Sequence, residues 1–203
     1  MRALSSTWVL LSASLGLAGC GGGGASSNAV TLGILSTAAL DGYVTATGTV
    51  LAGQPVLAAG DNAMGDTARF FASFPLGGIP GGAQIQSASL EMTQTSVTGT
   101  PYVDLGLLVL DHLDYGATLD APDFGLGALS PAFGTLSSTP ALGLRTLDVK
   151  PQVEADIAAL RTRSQFRGRF GALTDGNPDD DHVHFNAAEA PSEKPVLVVV
   201  YLP

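Results

Sequence analysis

From Asp41 onward, apolar and polar residues alternate in short runs separated by glycine, proline and aspartate, the pattern of strands joined by tight turns. In DGYVTATGTV, Tyr43, Thr45 and Thr47 share one face, with Val44 and Ala46 on the other. QPVLAAGD is a second run, closed by the turn signal Gly60-Asp61-Asn62. TARFFASF is a third, followed by a proline- and glycine-rich loop. QIQSASLEMTQTSV sets Ile85, Ser87, Ser89, Glu91 and Thr93 against Gln86, Ala88, Leu90 and Met92. YVDLGLLVLDHL is more continuously apolar, as a central strand would be, and the terminal KPVLVVVYLP reads as a strand buried in the core. Residues 115–140 read as loop, with one short strand near Phe133.

One segment has a different period. In PQVEADIAALRTR, Val153, Ile157 and Leu160 recur at helical spacing, and Pro151 suits a first helical position. Glu154 and Asp156 come early and Arg161 and Arg163 late, which matches the helix dipole. The expected fold is all-β: a two-sheet antiparallel jelly-roll sandwich with one short helix, spanning residues 40–203.

The N-terminal part follows other rules. Met1 and Arg2 precede an uncharged apolar run that is shorter than the roughly 20 residues needed to cross a bilayer. Leu17, Ala18, Gly19 and Cys20 resemble a bacterial lipobox. The resemblance implies a signal peptide over residues 1–19, lipid attached to the Cys20 thiol, and a partner in the membrane itself. Residues 20–39, opening with Gly21 to Gly24, then form a Gly/Ser-rich tether that buries too little to offset its chain entropy. Such a chain of about 20 residues has a reach of roughly 25 Å. Glycine after the cysteine resembles lipoproteins sent to the outer membrane, so the expected location is the cell envelope, lipid-anchored.

Composition narrows the rest. Without residues 1–19 the chain carries eight Lys and Arg against eighteen Asp and Glu, which argues against a nucleic-acid partner. Cys20 is the single cysteine, so no disulfide staples the domain, and the single tryptophan, Trp8, lies in the expected signal peptide. DGYV, AAGDN, RFFASFPLGGIPGGAQIQSASLEM, LDVKPQVEADI, FRGRF and HVHFNAAEAPSEKPVLVVVYLP follow one another in an order that resembles DNRLRE-type domains of bacterial surface proteins. The resemblance implies a jelly roll, and some relatives are carbohydrate-binding modules, although the hexapeptide DNRLRE itself is absent.

Candidate chemistry is sparse. In FRGRF, alternation places Arg167 and Arg169 on one strand face, where two guanidinium forks would suit the carboxylates of an anionic polysaccharide; the competing expectation has both arginines paired with nearby aspartates. In TDGNPDDDHVHF, Asp175, Asn177, Asp179 and Asp181 fall at every second position, a spacing that would let oxygens converge on calcium, or simply form a solvated turn. His182 and His184 share a face but lack a third zinc ligand at a convincing spacing. Asp61, Asn62 and Asp66 form a weaker acidic loop, and DHLDYG contains acid–base groups in a strand-end turn. No nucleophile elbow is present. The sequence therefore leads to an envelope-anchored, non-catalytic binding module, with a structural lipoprotein that contacts another envelope protein as the alternative.

Overall fold

A computed structural model describes residues 28–203; the expected signal peptide, Cys20 and the glycine run after it lie outside the described residues. The chain is mostly β, one antiparallel sheet of twelve strands with two short helices. In order, the strands are β1 (Val30–Leu35), β2 (Gly42–Thr45), β3 (Val50–Ala52), β4 (Val56–Asp61), β5 (Thr67–Pro75) and β6 (Gln84–Thr98). They continue with β7 (Leu108–Leu113), β8 (Ser130–Ser137), β9 (Gly143–Asp148), β10 (Arg163–Phe170), β11 (Asp181–Asn186) and β12 (Val196–Leu202). Helix α1 is Pro101–Asp104 and α2 is Lys150–Ala158. Among the described residues no helix is long and apolar enough to cross a membrane.

Hydrogen bonds run in the order β1-β12-β6-β11-β4-β5-β10-β7-β8, with β2 and β3 added at β5 and β9 at β6. At about 4.8 Å per strand, a flat sheet would hold β1 and β8 roughly 38 Å apart. Yet Ile34 of β1 and Leu136 of β8 share one core with Phe74, Phe166, Phe185 and Leu197. The sheet therefore curls on itself. A second, smaller cluster of Leu40, Val44, Phe71, Leu113, Tyr115 and Leu119 lies on the other side of β5. This explains the doublet in TARFFASF: Phe70 enters the main core and Phe71 meets the Tyr115 ring edge-on at 5.4 Å.

Several local expectations change. Strand β1 lies inside the segment expected to be tether, and residues 30–35 pair in full register with β12. DGYVTATGTV is a hairpin, β2 and β3, rather than one strand. YVDLGLLVLDHL splits into α1 and β7, giving a second helix where one was expected. Strand β9 arises in a segment whose exposed alternation carried no clear signal, its residues alternating between half-buried and exposed. In β6 the partners of Val200 and Tyr201 are Ser87 and Ile85, so Gln86 bulges out. That bulge turns Ile85, which simple alternation places with the polar residues, into the core. Strand β12 is not buried throughout: Leu197, Val199 and Tyr201 face the core, while Val196, Val198 and Val200 are half-buried on the opposite face. Helix α2 stops before Leu160, which is exposed instead of completing the apolar stripe begun by Val153.

Candidate functional site

A hollow lined largely by polar side chains opens over β2, β3, β4 and β11. It encloses about 370 Å³ and is lined by Tyr43, Thr45, Thr49, Leu51, Asp61, Asn62, Asp66, His182 and His184 above Ala58, Gly60 and Ala68. Register explains why a hollow exists there. His182 pairs across from Gly60, His184 from Ala58, and Thr45 from Ala68, so at these three positions a larger side chain faces a small one on the next strand. At Gly60 the choice is forced, since a Cβ there would lie 2.0 Å from the Asp181 carbonyl oxygen. The small residues make the floor, and the two histidines and Tyr43 make the walls.

The walls are held by hydrogen bonds. Ser96 Oγ lies 3.0 Å from His184 Nδ1, and the two imidazole rings stand 4.8 Å apart. Burial, and then the neighbouring His182, push His184 below the usual histidine pKa, so it favours the neutral imidazole; burial raises the Tyr43 hydroxyl. Asp66 accepts Thr47 N–H at 3.1 Å and the Thr47 hydroxyl at 2.8 Å, while Asn62 Oδ1 accepts the Met64 and Asp66 N–H groups at 3.0 Å. Asp61 Oδ1 is buried without a partner. No Lys or Arg is among the described residues lining the hollow.

Of the two arginine expectations, the structure shows the pairing with aspartate. Phe166 and Phe170 enter the core, and Arg167 lies buried on the opposite face. Arg167 Nε and Nη2 reach Asp111 Oδ2 at 3.0 and 2.8 Å, and Nη1 donates to the carbonyls of Asp123, Phe124 and Leu126. Arg169 forks onto the same Asp111 through Nε at 2.8 Å and Nη2 at 3.2 Å. Arg69 joins them: it donates to Phe124 O, stacks on the Phe124 ring at 4.2 Å, and leaves Nε without a partner. Burial, followed by the charges of Arg167 and Arg169, lowers Arg69 to about 10. Sequence reasoning missed Arg69 because it stands about a hundred residues earlier, isolated among apolar neighbours.

The acidic loop is also rearranged. Asp175 and Asp181 come together with Asp104 of α1, their carboxylate oxygens within 4.8 Å of one another. Asp179 is not part of that group. Asp175 Oδ1 accepts Asn177 N–H at 2.9 Å, and Asn177 Oδ1 accepts Asp179 N–H at 2.7 Å, so the Asp175 and Asn177 side chains shape successive turns. Asp181 is buried and accepts the Thr100 N–H.

In DHLDYG, Asp111 holds the arginines and His112 Nε2 lies 2.9 Å from both oxygens of the buried Asp156, which also accepts from Ser164 and from Arg161. Asp114 pairs with Arg161, and the Tyr115 hydroxyl donates to Leu40 O at 3.0 Å. Arg161 and Arg163, expected as charges at the helix end, act through side chains instead: Arg163 reaches Thr37 Oγ1 at 3.0 Å. No protein-family model matches this chain, and no curated protein matches it in sequence.

Proposed function

We propose that the chain is an envelope-anchored lipoprotein whose curled sheet, a jelly-roll sandwich of DNRLRE type, is a non-catalytic glycan-binding module. The hollow over β2, β3, β4 and β11 carries the reading. Its carboxylates, amide and hydroxyls offer both acceptors and donors for sugar hydroxyls, and the rings of Tyr43, His182 and His184 offer apolar faces. Two carboxylates in the lining, Asp61 and Asp66, disfavour an acidic sugar there. A neutral, hydroxyl-rich polysaccharide is the ligand class that fits.

A second reading keeps the anionic polysaccharide. Arg167 and Arg169 share the Asp111 carboxylate, the charge of Arg69 lies near enough to feel all three groups, and the Arg69 Nε–H is unsatisfied. A polysaccharide array probed with the full chain separates the two. Binding to neutral glycans that is lost in Tyr43→Ala and His182→Ala supports the hollow. Binding to uronate polymers that is lost in Arg69→Gln and falls steeply with salt supports the arginines. Binding to neither class overturns the glycan-binding reading. Anchoring is tested separately: Cys20→Ala should move the protein out of the detergent phase, and unchanged partitioning overturns the lipoprotein reading.

A further inference from the structure

Where the first strand enters the fold, three oxygens are buried without a hydrogen-bond partner: Ser36 Oγ, Asp41 Oδ2 and Glu189 Oε2. Asp41, just ahead of β2, is fully buried, and its other oxygen, Oδ1, accepts the Ser73 N–H at 3.1 Å. Its backbone carbonyl accepts the Gly53 N–H at 3.1 Å. Glu189, on the loop between β11 and β12, reaches the same place from the other side. Its Oε1 lies 3.6 Å from where a Cβ on residue 53 would sit. Burial raises the Asp41 carboxyl to about 7, the nearby Ser36 hydroxyl lowers it, and the Glu189 charge raises it further. Among the described residues no Lys, Arg or His forms an ion pair with Asp41 or Glu189.

Buried like charges repel in a medium of low dielectric, and orphaned acceptors lose their hydration without replacement. Native folds relieve such a site with a proton or a counter-charge. We propose that Ser36, Asp41 and Glu189 bind one calcium ion. The donor set is all oxygen with two carboxylates, which suits a hard cation, while zinc would call for histidine or cysteine. The backbone that carries these ligands is irregular, lying at the end of β1, before β2 and in a loop, and calcium tolerates irregular coordination better than magnesium does. The ion would tie the entry of the chain into the sheet to the loop that leads into its last strand. Its ligands come from sequence positions far apart, so no local spacing announces them.

The site differs from the group of Asp104, Asp175 and the buried Asp181, and it does not depend on glycan binding. The test is calorimetric titration of the full, chelator-treated chain with calcium, together with thermal melts in calcium and in EDTA. The expected result is one saturable site, with a calcium-dependent rise in melting temperature. Asp41→Asn and Glu189→Gln should each weaken binding by roughly tenfold or more, while Asp175→Ala leaves it unchanged. Glu189 is half-buried, so its variant reports on the site even where Asp41→Asn perturbs folding. Absence of both heat and thermal shift at millimolar calcium overturns the proposal. Wild-type affinity in Glu189→Gln, or loss of binding in Asp175→Ala with retention in Glu189→Gln, overturns it as well.

Discussion

Arg167 and Asp111 stand directly opposite each other on β10 and β7, and the Arg167 Nη2 lies 2.8 Å from Asp111 Oδ2. Because Asp111 also holds Arg169, one buried carboxylate carries the charge balance of this face. Asp111→Asn keeps the shape but leaves guanidinium groups without a counter-charge. Breaking a buried pair in this way costs about 3–5 kcal/mol. Denaturant unfolding should show a loss of that size, and a loss well below it would mean that water already screens the arginines.

The same contact sets an acid limit. Burial acts to raise the Asp111 pKa, but Arg169, the Ala132 N–H and Arg167 outweigh it and hold the carboxyl below its usual range. A carboxylate with a depressed folded-state pKa adds stability above its unfolded value, near 3.8, and loses that stability as pH falls toward the folded one. Melts between about pH 5 and pH 2 should fall more steeply for the wild type than for Asp111→Asn. Parallel curves would show that Asp111 does not carry this acid dependence.

Gly168 sits between these arginines on β10 and faces the core. A Cβ there would lie 2.0 Å from Cζ of Phe70, which is fully buried and has no room to retreat. Overpacking of this kind costs about 1–3 kcal/mol, so Gly168→Ala should lower stability by at least that much. The double variant Gly168→Ala with Phe70→Leu should recover part of the loss. Additive losses would mean that the ring is not the obstacle.

FRGRF thus shows what alternation can and cannot reveal. The two faces were legible, phenylalanines inward and arginines opposite, because a strand has a period of two. The glycine gave no hint of Phe70, and the arginines gave no hint of Asp111, because both partners come from other strands. The hollow was hidden for the same reason: His182, His184 and Thr45 are ordinary strand residues until register sets them beside Gly60, Ala58 and Ala68. In the acidic loop, equal spacing of Asp175, Asn177, Asp179 and Asp181 implied convergence, but the Asn177 side chain is used in a turn and the carboxylate that joins Asp175 and Asp181 is Asp104 of α1.

In β12 the same period separates two substitutions that the run of valines makes look equivalent. Val199 is fully buried against the core, whereas Val198 is half-buried between Gly33 and Ser89 on the other face. Val199→Asp places a carboxylate where no partner is available and should cost several kcal/mol, about 3 or more, while Val198→Asp should cost clearly less. Equal losses in urea unfolding would argue against the alternation.

Helix α2 ends in a left-handed turn built on the wrong residue for it. Arg161 N–H reaches back to Asp156 O at 2.9 Å and Leu160 N–H to Ile157 O at 3.0 Å, the paired bonds of a Schellman ending. Leu160 occupies the position where glycine is favoured, at φ +57°, and its side chain is 88% exposed. A left-handed conformation costs a residue with a Cβ about 1–2 kcal/mol, and Leu160 recovers little of that through packing. Leu160→Gly relieves the strain, although part of the gain is lost because glycine is freer in the unfolded chain. The expected net effect is a stabilisation of about 0.5–1 kcal/mol, a rise of a few degrees in melting temperature for a domain of this size. Leu160→Asn, which tolerates the left-handed region better than leucine, should fall between the two. A lower melting temperature for Leu160→Gly would mean that the exposed leucine makes a stabilising contact worth more than the strain it bears.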